Sequence, residues 1–378
     1  SNLYIKTMQN LGLPYNRDFN DGKQYGVGLM QYTIGNGKRC DTISSLIKPI
    51  IKNKKLTIKL NTIVTKIILE NKKATGVETV SKGKYEKFFG KEIILTAGAL
   101  VTPKILMHSG IGEENQLRKF DINIQENLPG VGKNLQDHHE VPFVTKAKAG
   151  YGYFKQDKGW RMIKNGIQYL LFKSGPVTSN GVDCCSFFNP ENLEDDIDPK
   201  IKLYCVQIMY TDRDTKGIKP DHGVTLTSCI MNPKSRGDVS LNSSNPLDLP
   251  NINPNFLSNQ DDINTLLQSV KLARKIIKTK PLSDIILEEV LPGENINSDD
   301  TLIDYCKKMI KTNWHPVGTC KMGKDNDNSA VLNSKLQVKG IDNLRVFDVS
   351  IMPNIVAANT NAPAMAIANN ATNIMLED

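Results

Sequence analysis

The residues best suited to chemistry in this sequence surround a single histidine near the C-terminal end. His315 stands between Trp314 and Pro316. A residue that precedes proline is driven out of the helical region, so we expect a non-helical backbone at His315 and an imidazole held by its neighbours. Imidazole titrates near neutral pH and is the commonest general base, which makes His315 a candidate for taking a proton from a substrate. The alternative is a structural histidine packed at the end of a helix.

Several elements are predicted to position this histidine. Apolar residues at helical spacing predict a long helix over residues 263–277, a second helix from residue 298 to about 311, and a last helix over residues 362–375. Further helices are predicted near residues 42–51 and 158–172. Residues 203–209, 224–230 and 238–241 read as strands, and the region from 200 to 256 is predicted to form an antiparallel sheet. Period-two alternation predicts two more strands over residues 56–60 and 63–69.

A strand, a glycine turn and a helix follow one another in the first third of the chain. Residues 92–96 form the strand, Gly98 lies in the turn, and Thr102 and Pro103 open the helix. A helix N-terminus after such a turn suits the pyrophosphate or ribose of a cofactor. No Gly-x-Gly-x-x-Gly fingerprint occurs in the sequence. The polar, glycine-rich stretch 128–139 is interpreted as an ordinary surface connection, in which His138 and His139 need not bind a metal.

The composition excludes several classes of protein. A chain of 378 residues suggests two domains or one large α/β unit, and its net charge of +8 is spread along the chain without the basic stripe of a nucleic-acid-binding protein. Seven cysteines without a Cys-x-x-Cys pair argue against a disulfide framework or a zinc site and favour a reducing cytoplasm. No apolar run approaches the ~20 residues of a transmembrane helix, and no secretory leader opens the sequence.

Taken in order, the motifs resemble the glucose–methanol–choline (GMC) family of FAD-dependent oxidoreductases, particularly its choline dehydrogenase-like branch. The matching stretches are residues 98–112, 128–138, 174–181, 235–237, 315–323, 344–353 and 359–363. The fold class implied is α/β (α+β), a FAD-binding domain beside a substrate-binding domain with an antiparallel sheet flanked by helices. The predicted domains are residues 1–139 (FAD-binding), 140–310 (substrate-binding) and a catalytic segment, 311–378, that returns to the first domain.

The resemblance also implies roles for individual residues. His315 matches the base that takes the hydroxyl proton of an alcohol while hydride passes to flavin N5, and Asn359 matches the partner that hydrogen-bonds the alcohol oxygen. If both serve one oxygen, their polar atoms should lie within roughly 6 Å of each other. The positions that resemble FAD contacts are Val64, Gly98, Ala99, Asp348, Asn361 and Pro363. Asn361 and Pro363 equally suit an ordinary helix start, and Trp314 either walls the substrate pocket or packs.

The family's N-terminal phosphate-binding unit has no counterpart here, and the sequence opens at Ser1 within an amphipathic pattern. We therefore predict a fragment that is inactive alone, from a cytoplasmic enzyme or one peripheral to the inner membrane. Asp41 and Phe347 depart from the family pattern in detail only. The expected substrate is choline or another primary alcohol, the electron acceptor is open, and no nucleic acid or metal is expected. The alternatives are a lyase of the same fold that holds FAD without net redox turnover, and a non-catalytic apo scaffold.

Overall fold

The structure, a computed structural model, describes residues 1–210 and 218–377, which contain seven α-helices and eighteen strands. The helices are α1 (Asn2–Asn10), α2 (Thr102–His108), α3 (Glu114–Lys119), α4 (Gly159–Phe172), α5 (Gln260–Lys278), α6 (Asp299–Met309) and α7 (Asn361–Glu377). The strands are β1 (Gly26–Leu29), β2 (Ile34–Gly35), β3 (Lys38–Arg39), β4 (Ile63–Glu70), β5 (Lys73–Ser81), β6 (Lys84–Phe89), β7 (Ile93–Leu95), β8 (Ile111–Gly112), β9 (Glu126–Asn127), β10 (His139–Ala147), β11 (Cys184–Phe188), β12 (Ile201–Val206), β13 (Gly223–Ile230), β14 (Asp238–Ser240), β15 (Asn251–Asn253), β16 (Ile286–Leu291), β17 (Lys311–Thr312) and β18 (Leu344–Val346).

The chain divides into two compact units, each assembled from three separate stretches. Unit 1 comprises Ser1–Thr57, His139–Met231 and Gln260–Lys311, and unit 2 comprises Ile58–His138, Asn232–Asn259 and Thr312–Asp378. Changes of unit fall near residues 139 and 311, whereas residues 1–57 pack with unit 1 and residues 232–259 with unit 2. The division into a FAD-binding and a substrate-binding domain stays a prediction.

Unit 1 is built on an antiparallel sheet with strand order β1-β11-β12-β13-β10-β16, and β17 also pairs with β10. The central strand β13 is buried along its whole length, as expected for a strand covered on both faces. Helix α5 lies against it, where the Ser269 hydroxyl donates to the Ser228 hydroxyl oxygen at 2.7 Å and Leu266 and Val270 are fully buried. The prediction of an antiparallel sheet in this part of the chain is confirmed.

Unit 2 combines a parallel pair, β7 with β18, and an antiparallel sheet in the order β4-β5-β6. Its core is apolar and includes Leu106, Ile111, Leu117, Val331, Leu344 and Val346, which are all fully buried. Cys320 lies in the same core as a small buried hydrophobe. Asp348 follows β18 and accepts hydrogen bonds from the Gly98 amide at 2.9 Å and the Thr102 hydroxyl at 2.6 Å. Its carboxylate therefore joins the ends of the two parallel strands.

The predicted helices at 158–172, 263–277, 298–311 and 362–375 correspond to α4, α5, α6 and α7, with ends that shift by up to three residues. Ser298 caps α6 by accepting a hydrogen bond from the Thr301 amide. The predicted helix at residues 42–51 is present as a π-helix, Ile43–Ile47, followed by a 3-10 helix, Lys48–Ile50. One prediction is wrong. Residues 56–60 form no strand, because alternation alone does not supply a neighbouring strand, and Leu60 is 76% exposed.

Candidate active site

The segment that carries His315 lies between two other segments of unit 2. Val317 exchanges a pair of backbone hydrogen bonds with Gln136, at 2.8 and 3.1 Å, on one side. On the other side the amide of Cys320 donates to the Ser350 carbonyl at 2.9 Å, and that of Met322 to the Ile351 carbonyl at 2.8 Å. The backbone that follows His315 is thus fixed along both edges, and His315 itself lies outside any helix, as predicted.

A second histidine holds the ring of His315. Nδ1 of His138 lies 2.9 Å from Nδ1 of His315, and the two rings are perpendicular with centroids 5.1 Å apart. His138 is fully buried and His315 is 9% exposed. A hydrogen bond between two imidazole nitrogens requires a proton on one and a lone pair on the other. The contact therefore couples the tautomers of the two rings.

The opposite nitrogen of His315 faces the residue predicted to be its partner. Nδ2 of Asn359 lies 3.2 Å from Nε2 of His315, across 44 positions of the sequence. This separation falls within the predicted range of roughly 6 Å. An amide nitrogen only donates, so with the amide in this orientation Nε2 of His315 carries a lone pair and Nδ1 carries the proton. That tautomer leaves Nε2 able to accept a proton from a substrate.

Asp137 fixes the backbone of the same segment. Its Oδ1 accepts a hydrogen bond from the His315 amide at 2.9 Å, and its Oδ2 accepts one from the Thr312 hydroxyl. The Thr312 oxygen in turn accepts from the Trp314 amide at 2.8 Å. Burial, which disfavours the ionised carboxyl, raises the pKa of Asp137 from 3.8 to about 6, although the hydrogen bonds oppose this change.

Gln136 links the His315 segment to the one that leads to Asn359. It is 2% exposed, its Nε2 donates to the Pro353 carbonyl at 3.0 Å, and its Oε1 accepts from the Ile355 amide at 3.1 Å. Its backbone is the one paired with Val317. One residue therefore ties together the two segments whose side chains meet at His315 and Asn359.

Trp314 has a backbone φ of +62° and an 81% exposed side chain. Left-handed backbone is unfavourable for a bulky residue and needs support from its surroundings, here including the hydrogen bond from its amide to Thr312. In the described structure Trp314 does not pack in a core, which removes one of the two predicted roles. The pocket-wall role stays a prediction.

The residues predicted to contact FAD all lie in unit 2. Gly98 adopts φ +81° in the turn after β7, and an added Cβ there would meet no atom within 4 Å, so the turn borders open space. The Ala99 carbonyl accepts a hydrogen bond from the Thr319 hydroxyl at 2.6 Å, which connects this turn to the His315 segment. Asn361 begins α7 and Pro363 lies in its first turn, two and four residues after Asn359. Val64, on β4, is half-buried.

Three further features of the described residues were compared with this candidate site: a cavity, possible metal ligands and possible membrane-spanning helices. A cavity of about 440 Å³ in unit 2 is lined by residues of β4 and the end of α2, including Lys66, His108 and Gln125, and by no residue of the histidine pair. Among residues 1–210 and 218–377, no group of three His, Cys, Asp or Glu side chains is placed to hold a metal ion. In the same range, no helix has the length and apolar character needed to cross a bilayer.

Sequence reasoning missed His138, Asp137 and Gln136. All three lie in the stretch interpreted as a surface connection, yet they are between 0% and 8% exposed. A run of polar residues gives no periodic signal of burial. The available hint was local, because these residues are framed by Leu135 and Val141, which are both buried.

Known proteins are similar to this chain along most of its length. The sequence matches the N-terminal part of GMC oxidoreductases over residues 1–140 and the C-terminal part over residues 233–368. It is 34% identical over 383 residues to an alcohol dehydrogenase [acceptor] of Pseudomonas putida, covering 100% of this chain and 68% of that protein. It is 32% identical over 373 residues to the mitochondrial choline dehydrogenase of Mus musculus, covering 98% of this chain and 62% of the relative.

Solved structures agree as well. Pyridoxine 4-oxidase from Mesorbium loti superposes with a TM-score of 0.89 at 26% identity, covering 99% of this chain and 69% of that one. Formate oxidase from Aspergillus oryzae RIB40, studied for modification of its FAD, gives a TM-score of 0.87 at 26% identity, covering 98% and 69%. GMC oxidoreductases are FAD-binding flavoproteins. The chain spans about two thirds of the length of these relatives, and with these matches it belongs to the GMC oxidoreductase family.

Proposed function

We propose that this chain carries the proton-transfer residues of an enzyme that oxidises choline or another primary alcohol to the aldehyde. The observation that carries the proposal is the 3.2 Å contact between His315 Nε2 and Asn359 Nδ2. Fold formation alone does not require a buried imidazole to present its unprotonated nitrogen to a side-chain amide on a distant segment. The relatives named above are dehydrogenases and oxidases, which favours redox turnover over the lyase alternative.

His315, Asn359 and His138 have different roles in the proposed reaction. His315 takes the hydroxyl proton of the alcohol on Nε2, and the Asn359 amide donates a hydrogen bond to the same oxygen as negative charge develops there. His138 keeps the His315 ring oriented through Nδ1. When bound, FAD supplies the acceptor for the hydride that leaves the alcohol carbon. The alcohol thus loses one proton and one hydride and becomes the aldehyde.

The chain's own residues fit part of the requirements of FAD. The turn at Gly98 borders open space, and its amide donates to Asp348. Asn361 and Ala362 are exposed at the start of α7, where the first amides of a helix have no acceptor within the helix. At an exposed site, the N-terminus of a helix such as this 17-residue one stabilises a negative charge by at most ~1 kcal/mol. Val64, Ala99, Asp348 and Pro363 complete the proposed set. No residue here supplies a Gly-x-Gly-x-x-Gly turn for the pyrophosphate, so we propose that this chain alone is inactive.

The test is an alcohol panel that includes choline, run on the full-length, FAD-loaded protein with an artificial electron acceptor. We expect turnover of at least one alcohol, and His315→Ala should lower it by ~100-fold or more, the usual scale for losing a general base. Flavin content should stay at the wild-type level. His222→Ala, which removes a histidine of unit 1, is the matched control and should leave turnover unchanged. Unchanged turnover in His315→Ala would contradict its role as base, and unchanged turnover together with loss of flavin would show that His315 is structural.

A further inference from the structure

The contact between His315 and His138 provides a path along which a proton can leave the candidate site. With the Asn359 amide donating to Nε2 of His315, the proton of that ring lies on Nδ1, 2.9 Å from Nδ1 of His138. Nδ1 of His138 is then the acceptor, and the proton of its neutral ring lies on Nε2. A proton taken up at one nitrogen of His315 can therefore be matched by a proton passed on from the other.

Transfer of a proton between the two rings costs little, because they are chemically alike. Two imidazoles have the same unperturbed pKa, and a nitrogen separation of 2.9 Å is that of an ordinary hydrogen bond, so neither ring has to move. His138 is fully buried and His315 nearly so. A positive charge confined to one buried ring is costly, and a charge shared by two rings is less so.

The carboxyl of Asp137 supplies a counter-charge beside the pair. Its Oδ1 accepts a hydrogen bond from the His315 amide at 2.9 Å, and the His138 amide also donates to this carboxyl. Burial raises the pKa of Asp137 to about 6 against these hydrogen bonds and the one from Thr312, so the carboxylate is mostly ionised at neutral pH. A negative charge hydrogen-bonded to the backbone of both histidines favours a positive charge on either ring.

We propose that His138 receives the proton that leaves the alcohol, by way of His315. The O–H bond of the alcohol breaks as the Nε2–H bond of His315 forms, and the Nδ1–H bond of His315 breaks as an Nδ1–H bond of His138 forms. His315 is then neutral with its proton on Nε2, the positive charge lies on His138, and neither ring gains or loses electrons. This inference rests on the proposed alcohol oxidation, and His138 acts through His315 without touching the alcohol.

The direct test is nitrogen NMR of the chain labelled with 15N at its 5 histidines, with His138→Asn used to assign the signals of His138. As the pH is lowered, we expect Nε2 of His315 to shift from the position of an acceptor nitrogen to that of an N–H nitrogen. Nδ1 of His138 should shift in the same direction with the same midpoint. Titration of Asp137 alone moves neither nitrogen between these two classes.

Two results of this titration would overturn the proposal. The first is a His138 Nδ1 signal that keeps the acceptor position while His315 becomes protonated on both nitrogens. The second is a histidine pair that takes up no proton before the chain unfolds.

Kinetics of the full-length, FAD-loaded enzyme separate proton transfer from positioning. His138→Asn keeps an acceptor for Nδ1 of His315 but cannot hold a proton, so we expect alcohol to reduce the flavin about fivefold more slowly, with flavin content and KM near wild type. This deficit should shrink along a series of alcohols made more acidic by fluorine substitution, because a more acidic hydroxyl depends less on the base. A deficit that stays constant along the series, or a wild-type rate, would overturn the proposal.

His222→Asn makes the same substitution in a histidine of unit 1, and it should match wild type along the whole series of alcohols. Failure of the proposed function gives a different result from failure of this inference. Unchanged turnover in His315→Ala would remove the alcohol-oxidising role, whereas failure of the proton transfer to His138 alone would leave the loss in His315→Ala intact.

Discussion

Nδ1 of His138 lies 2.9 Å from Nδ1 of His315, across 177 positions of the sequence. Neither ring reaches this arrangement through a local turn. His138 ends the first stretch of unit 2, and its carbonyl accepts a hydrogen bond from the Asn313 amide at 2.8 Å. The two chain segments are thus joined through both backbone and side chain. In the proposed mechanism His138 is a positioning residue, because it acts on the substrate only through His315.

We predict that His138→Ala lowers kcat of the full-length enzyme by ~10- to 100-fold, because a ring freed at Nδ1 spends less time with Nε2 aimed at the substrate. KM should change little, and flavin content should be retained. His138→Asn should recover part of kcat, since its amide can still hydrogen-bond near the position of the lost Nδ1. Equal losses in the two variants, or a loss of flavin, would contradict a positioning role.

We predict that Asn359→Asp shifts the pH profile of kcat/KM toward higher pH. A carboxylate placed 3.2 Å from Nε2 of His315 favours the protonated imidazole, which cannot act as a base. Turnover at neutral pH should fall, and part of it should return as the pH is raised. Asn359→Ala is the matched control, because it removes the hydrogen bond without adding charge and should lower turnover without that shift. An identical profile in both variants would argue against contact with His315 during catalysis.

The sequence identified His315 and Asn359, and their proximity was predictable, because both lie in motifs whose resemblance to a known family carries spatial information. The roles of these residues stay predictions. His138 was not predictable in the same way, since its burial depends on a segment 177 positions away and leaves no periodic trace.

The secondary structure, like the candidate site, was predictable from the sequence only in part. Residues 63–69 and 56–60 both alternate, yet only the first stretch forms a strand, β4, because it pairs with β5. Ile58 and Leu60 are 46% and 76% exposed. Periodicity reports which side chains share a face, whereas a strand also requires a neighbour with free hydrogen-bonding groups, and the local sequence does not contain that information.

We predict that this chain, purified alone with excess FAD and then desalted, retains well under one flavin per molecule. The start of α7 offers only a few amides, and the pyrophosphate lacks the helix N-terminus of a Gly-x-Gly-x-x-Gly unit. Flavin absorbance after desalting measures this directly, with the full-length protein as the control. Stoichiometric flavin on this chain would contradict the prediction.

The last prediction concerns Asp137, whose burial raises the pKa of its carboxyl from 3.8 to about 6. Between these two values the folded chain binds more protons at this site than the unfolded chain does. Stability therefore falls as the pH rises from about 4 to about 6, and the cost at neutral pH is up to ~3 kcal/mol of unfolding free energy.

Asp137→Asn removes the titration and keeps an acceptor for the His315 amide, while the contact with Thr312 changes direction, because the amide nitrogen donates to the hydroxyl oxygen. Urea unfolding from pH 4 to 7.5 should therefore show a smaller decline for the variant, and the difference between the two curves isolates this carboxyl from every group that the two proteins share. Asp327→Asn is the control, because its hydrogen bonds to Ser329 hold the pKa of Asp327 at about 2, below this window. Parallel curves for wild type and Asp137→Asn would mean that the Asp137 carboxyl is already ionised at no cost in the folded chain.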